Sequence, residues 1–221
     1  MCGRYVLIPN KQVAKTFEIA EPQMKLVETT PNFNIGPGFI EPVVVRHSPN
    51  SLELMKWGLI PPWAKDIKIG FKMINARAET LISKISFRKP FKSQRCLVPA
   101  NGFYEWKQTN SGKIPYYISI KEQPVFGMAG LYEIAHDGDG REIKSFTIIT
   151  TTPNVLMAEI HDRMPAILNP ADYDYWLDNS KYEEHKLLSL LLPFAGEMEM
   201  HPVSTKVNKL ENQEKELIYP I

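Results

Sequence analysis

Cysteine is scarce in this chain of 221 residues, which holds only Cys2 and Cys96. Two cysteines cannot build a disulfide framework, and a single bridge needs an oxidising compartment. The N-terminal stretch has neither the basic segment nor the apolar run of a secretory signal, so both thiols are read as free in a protein expected to stay in the cytosol. Long apolar runs are missing too, since nothing approaches the roughly 18 consecutive apolar residues of a membrane span. Nor does charge of one sign dominate. The 26 Lys and Arg face 25 Asp and Glu for a formal charge of +1, so there is no whole-molecule basic field, and any nucleic-acid site must be a local basic groove. His47, His136, His161, His185 and His201 are widely spaced and the cysteines form no CxxC pair, which argues against a metal centre. No cofactor is expected.

What the chain does have is proline. Its 18 prolines outnumber 12 glycines and fall between short apolar runs, a pattern of short strands joined by rigid turns. Strands are expected at Val43 to Arg46, Leu52 to Trp57, Cys96 to Val98, Tyr116 to Ile120, Val125 to Leu131, Phe146 to Thr150 and Met198 to Pro202, segments rich in β-branched and aromatic residues. Helices are expected at Lys11 to Phe17, Arg77 to Ile85, Asn154 to Ile160, Ala171 to Leu177 and Tyr182 to Leu192. The stretch Lys206 to Glu216 reads as solvated. A 43% hydrophobic fraction at this length supports one α+β domain.

Cys2 carries distinctive chemistry. A free cysteine is ordinarily a small buried hydrophobe. Removal of the initiator methionine, which a small second residue permits, would give Cys2 an α-amine and a thiol on adjacent carbons. The α-amine titrates at about 7.7 to 8.0 against about 10.4 for lysine, so roughly a hundredfold more of it is free base at neutral pH. It is the better Schiff-base nucleophile, and the neighbouring thiol can then add to the same carbon without diffusing, closing a thiazolidine on an aldehyde.

Four further segments stand out: Trp57-Gly-Leu-Ile-Pro-Pro-Trp63, Ile74-Asn-Ala-Arg-Ala-Glu79, Arg95-Cys-Leu-Val-Pro-Ala-Asn-Gly-Phe-Tyr-Glu-Trp106 and Ile160-His-Asp-Arg-Met-Pro165. Together with Met1-Cys-Gly-Arg-Tyr5, and with Val203 to Asn208 as a closing segment, they resemble the motifs of the SRAP family, the SOS-response-associated, peptidase-like proteins that crosslink to abasic DNA. The resemblance spans residues 2 to 208 and implies a single compact domain with a mainly antiparallel, barrel-like β core and peripheral helices. Residues 209–221 extend past it as a charged tail, packed on or extending from the domain. The loop Pro61-Pro62-Trp63 carries one tryptophan where relatives can carry two adjacent aromatics.

The resemblance assigns roles residue by residue. Cys2 becomes the nucleophile, and Glu105 a general acid/base, although by itself it passes for a surface glutamate in an apolar strand. Asn75 orients the sugar, or merely caps a following helix. His161 becomes an active-site group, or a hydrogen-bonded structural histidine. Arg4, Arg77 and Arg163 become phosphate contacts, and Trp63 and Trp106 meet DNA, with Trp63 alternatively buried on a proline turn. Trp57 is read as core. The function implied is a DNA-repair lyase-type protein of the cytoplasm. It binds single-stranded DNA as a monomer, captures abasic sites through Cys2, and has replication-fork proteins as candidate partners. A Cys2-dependent thiol peptidase or self-processing hydrolase, and a non-catalytic single-stranded DNA binder, are the alternatives.

Overall fold

A computed structural model describes residues 2–20, 31–47 and 49–221. In chain order its strands are β1 (Arg4–Leu7), β2 (Asn32–Ile35), β3 (Ile40–Val45), β4 (Ser51–Trp57), β5 (Asn75–Arg77), β6 (Arg95–Ala100), β7 (Gly102–Thr109), β8 (Gly112–Ile120), β9 (Phe126–His136), β10 (Glu142–Thr151), β11 (Met164–Pro165) and β12 (Met198–Pro202). Its α-helices are α1 (Lys11–Phe17), α2 (Ile85–Ser93), α3 (Val155–Ala158), α4 (Tyr173–Leu177) and α5 (Glu184–Ser189).

Five strands close a barrel. β4 pairs with β3, β3 with β6, β6 with β9 and β9 with β10, all antiparallel, and β10 returns to β4 in parallel. Closure removes the exposed edges that an open sheet would leave. β5 and β11 lengthen the seam by pairing with β10, β5 in parallel and β11 antiparallel. A second, wholly antiparallel sheet runs β12-β8-β7-β1-β2. The α+β barrel expected of the sequence is the fold observed.

Alternation along the strands produces two cores. Tyr5 and Phe103 face the barrel with Trp57, Phe146 and Leu131, whereas Val6 and Tyr104 face away, packed with Val203, Val207 and Leu217. Within Lys206 to Glu216 the residues Lys206, Lys209, Glu211, Lys215 and Glu216 are exposed, and Val207 joins that second cluster. The chain beyond Asn208 folds back over the sheet, buries Leu217, accepts a hydrogen bond from His201 Nε2 on the Ile218 carbonyl at 2.9 Å, and ends in a bridge between Val203 and Pro220.

Several elements differ from the sequence pattern. The helix expected at Arg77 to Ile85 is absent. β5 runs to Arg77, a 3-10 turn occupies Ala78–Thr80, and helix begins only at Ile85, continuing through Pro90. Pairing with β10 outweighs the helix propensity of the Ala-Glu stretch. Asn154 caps a helix that stops at Ala158, α5 is shorter than Tyr182 to Leu192, and Pro170–Asp172 forms a 3-10 turn ahead of α4. β1, β2 and β7 lie outside the expected strands, since they are short or interrupted by polar residues. No helix among the described residues is long and apolar enough to cross a membrane.

The loop after β4 is held by a close approach of two backbones. Gly58 adopts φ 117°, and a Cβ there would lie 2.6 Å from the Gly70 carbonyl oxygen, while one on Gly70 would lie 2.7 Å from that of Gly58. Only glycine fits at either position.

Arg95 is fully buried, yet it is satisfied by backbone alone. Nε donates to Trp176 O, Nη1 to Phe91 O and Lys92 O, and Nη2 to Asp178 O and Lys181 O, at 2.6–3.0 Å. It thereby ties α2 and α4 to β6. Arg95→Met should leave those carbonyls without donors and lower stability by about 3 kcal/mol or more in urea unfolding. A loss under about 1 kcal/mol would mean that the five bonds contribute little net stability.

Candidate active site

The site begins with the pairing of β1 against β7, in which Arg4 stands opposite Tyr104 and Tyr5 opposite Phe103. Cys2 lies just ahead of β1 and Glu105 follows Tyr104, so residues 103 positions apart in sequence become neighbours. Both are buried, Cys2 completely and Glu105 at 3% exposure. The Cys2 Sγ lies 3.9 Å from the Arg4 carbonyl. Burial, and secondly the Glu105 carboxylate, push the Cys2 thiol far above its ordinary value, so the sulfur is held as S–H at neutral pH.

Asn75 reaches this region through Trp57. The Ile74 carbonyl accepts from Trp57 Nε1 at 2.9 Å, from the Ile148 amide at 3.1 Å and from Asn75 Nδ2 at 3.0 Å. Trp57, 1% exposed and core as expected, packs edge-on against Tyr5 at 5.2 Å and stacks on Phe146. Asn75 Oδ1 is buried and accepts no hydrogen bond from a described residue. A buried acceptor without a donor costs about 1–3 kcal/mol, which a ligand hydroxyl or amine would recover. Asn75 lies in β5 and does not cap a helix.

His161 follows α3. Its Nδ1 lies 3.0 Å from the Arg163 amide and 2.9 Å from Asp162 Oδ1. One nitrogen cannot serve both. Nδ1 accepts from the Arg163 amide or donates to Asp162, so the two contacts alternate.

The expected cations divide. Arg163 is 9% exposed and grips Glu79 with both Nη atoms, at 2.7 and 3.0 Å, while Nη2 also donates to Thr150 O at 2.6 Å. It braces the turn after β5 to β10. Arg4 likewise donates to Asn34 Oδ1 (2.8 Å), Val207 O (2.6 Å) and Asn208 O (3.2 Å), and its guanidinium lies 6.0 Å from the Trp106 ring. Trp106 Nε1 donates to Asn208 Oδ1 at 2.8 Å. Arg4 and Trp106 therefore fasten the C-terminal segment on the face of the sheet opposite to Glu105. Asn34 completes the latch with bonds of 2.9 Å to the carbonyls of Lys209 and Asn212. Arg77 alone among the three is exposed, beyond Asn75 on the same face of β5, and has no ion pair among the described residues.

Trp63 is 55% exposed and separates two grooves. One, of about 470 Å³, is lined by Lys65, Lys68 and Lys72. The other, of about 480 Å³, meets Arg88 and Lys89 of α2. Phe71 is 58% exposed, with Lys56 Nζ 5.9 Å from its ring centroid. Motif reading missed these five groove cations and Phe71. The three-and-four spacing of Lys65, Lys68 and Lys72 after an exposed tryptophan was the available signal.

The fold is that of a single compact α+β domain built on a closed five-stranded barrel, with the cysteine at residue 2 and Glu105 both buried. More narrowly, the chain belongs to the SRAP family, whose model, described as SOS response associated peptidase (SRAP), matches residues 1–210. It is 46% identical to the abasic site processing protein YoqW of Bacillus subtilis (strain 168) over 99% of both chains. It is 35% identical to the abasic site processing protein HMCES of Gallus gallus, covering 86% of this chain and 66% of that one. A crystal structure of a protein from Bacteroides thetaiotaomicron, 29% identical, superposes with a TM-score of 0.90 over the whole of both chains.

One carboxyl near the site titrates unusually. Glu41 on β3 accepts from Asn32 Nδ2 at 3.0 Å, and burial raises its pKa from 4.5 to about 7. Between those values the folded protein keeps a proton that the unfolded chain has released. Its contribution to stability is therefore complete at low pH and lost as pH rises through about 7. Glu41→Gln stays neutral throughout, so its stability relative to wild type should rise between about pH 5 and pH 8, by no more than about 3 kcal/mol. A difference that is constant with pH in urea titrations would count against this.

Proposed function

We propose that this protein processes abasic sites in single-stranded DNA by capturing the ring-opened aldehyde on Cys2. The observation that carries this reading is the burial of Cys2 beside Glu105, and the names of the relatives support the substrate class. The nucleophile exists once Met1 has been removed. The α-amine of Cys2 adds to the aldehyde carbon, and the resulting carbinolamine loses water to give an imine. The sulfur then forms a C–S bond at the same carbon, and its proton passes through a carboxylate to the imine nitrogen. Aldehyde and aminothiol thus become thiazolidine and water. Because the thiol is held protonated, it does not compete with the amine for the aldehyde, and it needs a base when its turn comes. Glu105 is that base, and the same group as an acid assists loss of water. The unsatisfied Asn75 Oδ1 holds a sugar hydroxyl, and His161 assists ring opening.

Arg77, Lys65, Lys68, Lys72, Arg88 and Lys89 carry the phosphates, and Trp63 and Phe71 offer stacking surfaces. Arg4, Trp106 and Arg163 act from behind by fixing the strands that hold the reacting groups. The imine acidifies the neighbouring C2′ proton, so a base that removes it expels the 3′ phosphate. Lyase activity should therefore appear when the thiol cannot close the ring.

Intact-mass measurement with single-stranded DNA bearing a true abasic site should give one covalent adduct, formed only by molecules lacking Met1. A tetrahydrofuran analogue should give none. Cys2→Ala, which keeps an α-amine, should lose the stable adduct and cleave the strand instead. Glu105→Gln should slow adduct formation by about 100-fold. No adduct with a processed N-terminus, or full adduct with Cys2→Ala, would overturn the reading. Trp63→Ala should weaken binding of the tetrahydrofuran strand about 10-fold, measured by fluorescence anisotropy.

A further inference from the structure

Glu133 is a carboxylate that the capture chemistry does not use. It lies on β9 opposite Ser145 of β10, and opposed residues of antiparallel strands project from the same face. The Ser145 hydroxyl accepts the Ile60 amide at 2.8 Å, which identifies that face as the one beneath the loop carrying Trp63. Glu133 is 2% exposed there and lines the 480 Å³ groove with Pro62, Trp63, Ile85, Arg88 and Lys89. Burial raises its pKa, while Lys89 and the Ile134 amide oppose the rise.

A phosphate would gain nothing from a carboxylate at the bottom of its groove. A flat ring with hydrogen-bond donors on its edge would. The indole supplies a stacking face, Pro62 and Ile85 supply apolar walls, and Arg88 and Lys89 stand where the backbone of the same nucleotide can be neutralised. We propose that this groove is a nucleobase subsite, in which a base near the lesion stacks on Trp63 and donates its exocyclic amine to Glu133. The proposal rests on the reading of the protein as a binder of abasic single strands. Adenine, cytosine and guanine carry such an amine, and glutamate accepting from an amine of this kind is a recognised contact. Thymine lacks it, and its one ring donor lies between two carbonyls that a carboxylate repels. The site should therefore disfavour thymine.

The test uses oligo-dT strands with a central tetrahydrofuran analogue, in which one position at a time is changed to dA, dC or dG. Fluorescence anisotropy should find a position where all three bind roughly tenfold tighter than dT. Glu133→Gln presents an amide that can donate to thymine as well as accept, and should flatten that preference. Equal binding at every position, or a preference that Glu133→Gln retains, overturns the subsite. The same strands with a true abasic site distinguish the two readings. Adducts on every strand with no base preference in binding remove the subsite alone, no adduct on any strand removes the capture reading alone, and no binding of any strand removes both.

Discussion

Strand β10 is hydrogen-bonded to four others, and the remainder of the molecule is arranged around that fact. Its pairing with β4 and β9 closes the barrel, and its pairing with β5 and β11 places Asn75 and Arg77 and the segment after Arg163. Asn75, Ala76 and Arg77 are held in register against Ile148, Ile149 and Thr150, and Thr150 also faces Pro165. The Arg163 bridge to Glu79 clamps the two added strands from outside. A parallel strand of three residues has little stability of its own. β5 persists because the barrel behind it is closed and because Arg163 ties down the turn that follows it.

Charge is distributed by a similar division of labour. Arg4, Arg95 and Arg163 direct their donors into the fold, to carbonyls, an asparagine and one glutamate. The guanidinium suits this work because it offers five donors in a fixed fork and stays charged when partly desolvated. The cations open to a polyanion are mostly lysines on the loop after Gly58 and in α2, around Trp63. A net charge of +1 is thus compatible with a local basic surface, since cations outnumber carboxylates around Trp63. Two carboxylates are set among these cations, Asp66, which accepts from the Lys68 amide, and Glu133.

Fold class was legible because β-branched segments punctuated by proline give a clear strand pattern, and most of the barrel strands were found. β1, β2, β5, β7 and β11 were missed as strands. β7 ends in the polar Lys107-Gln-Thr109 that leads into its hairpin with β8, while β1, β2, β5 and β11 are short and held by partners distant in sequence, which local propensity does not register. The helix expected after Arg77 was lost for the same reason. Aminothiol chemistry singled out Cys2 as a candidate, while Asn75, Glu105, His161 and Trp63 became candidates through the family resemblance, since residue type alone also fits structural roles for them.

Cys2 is where the two kinds of information meet. The sequence by itself determined that residue 2 is a cysteine, that an aminothiol follows if Met1 leaves, and that the chain carries the motifs of its family. Only the tertiary structure decided that this thiol is buried and protonated beside Glu105, that Asn75 presents an unsatisfied acceptor, and that Arg4 and Arg163 are hydrogen-bonded to groups of the fold. The physical reason is that burial and pairing are properties of neighbours. β1 meets β7 across about a hundred residues of chain, and neither the pKa of a thiol nor the availability of a guanidinium exists until those neighbours are in place.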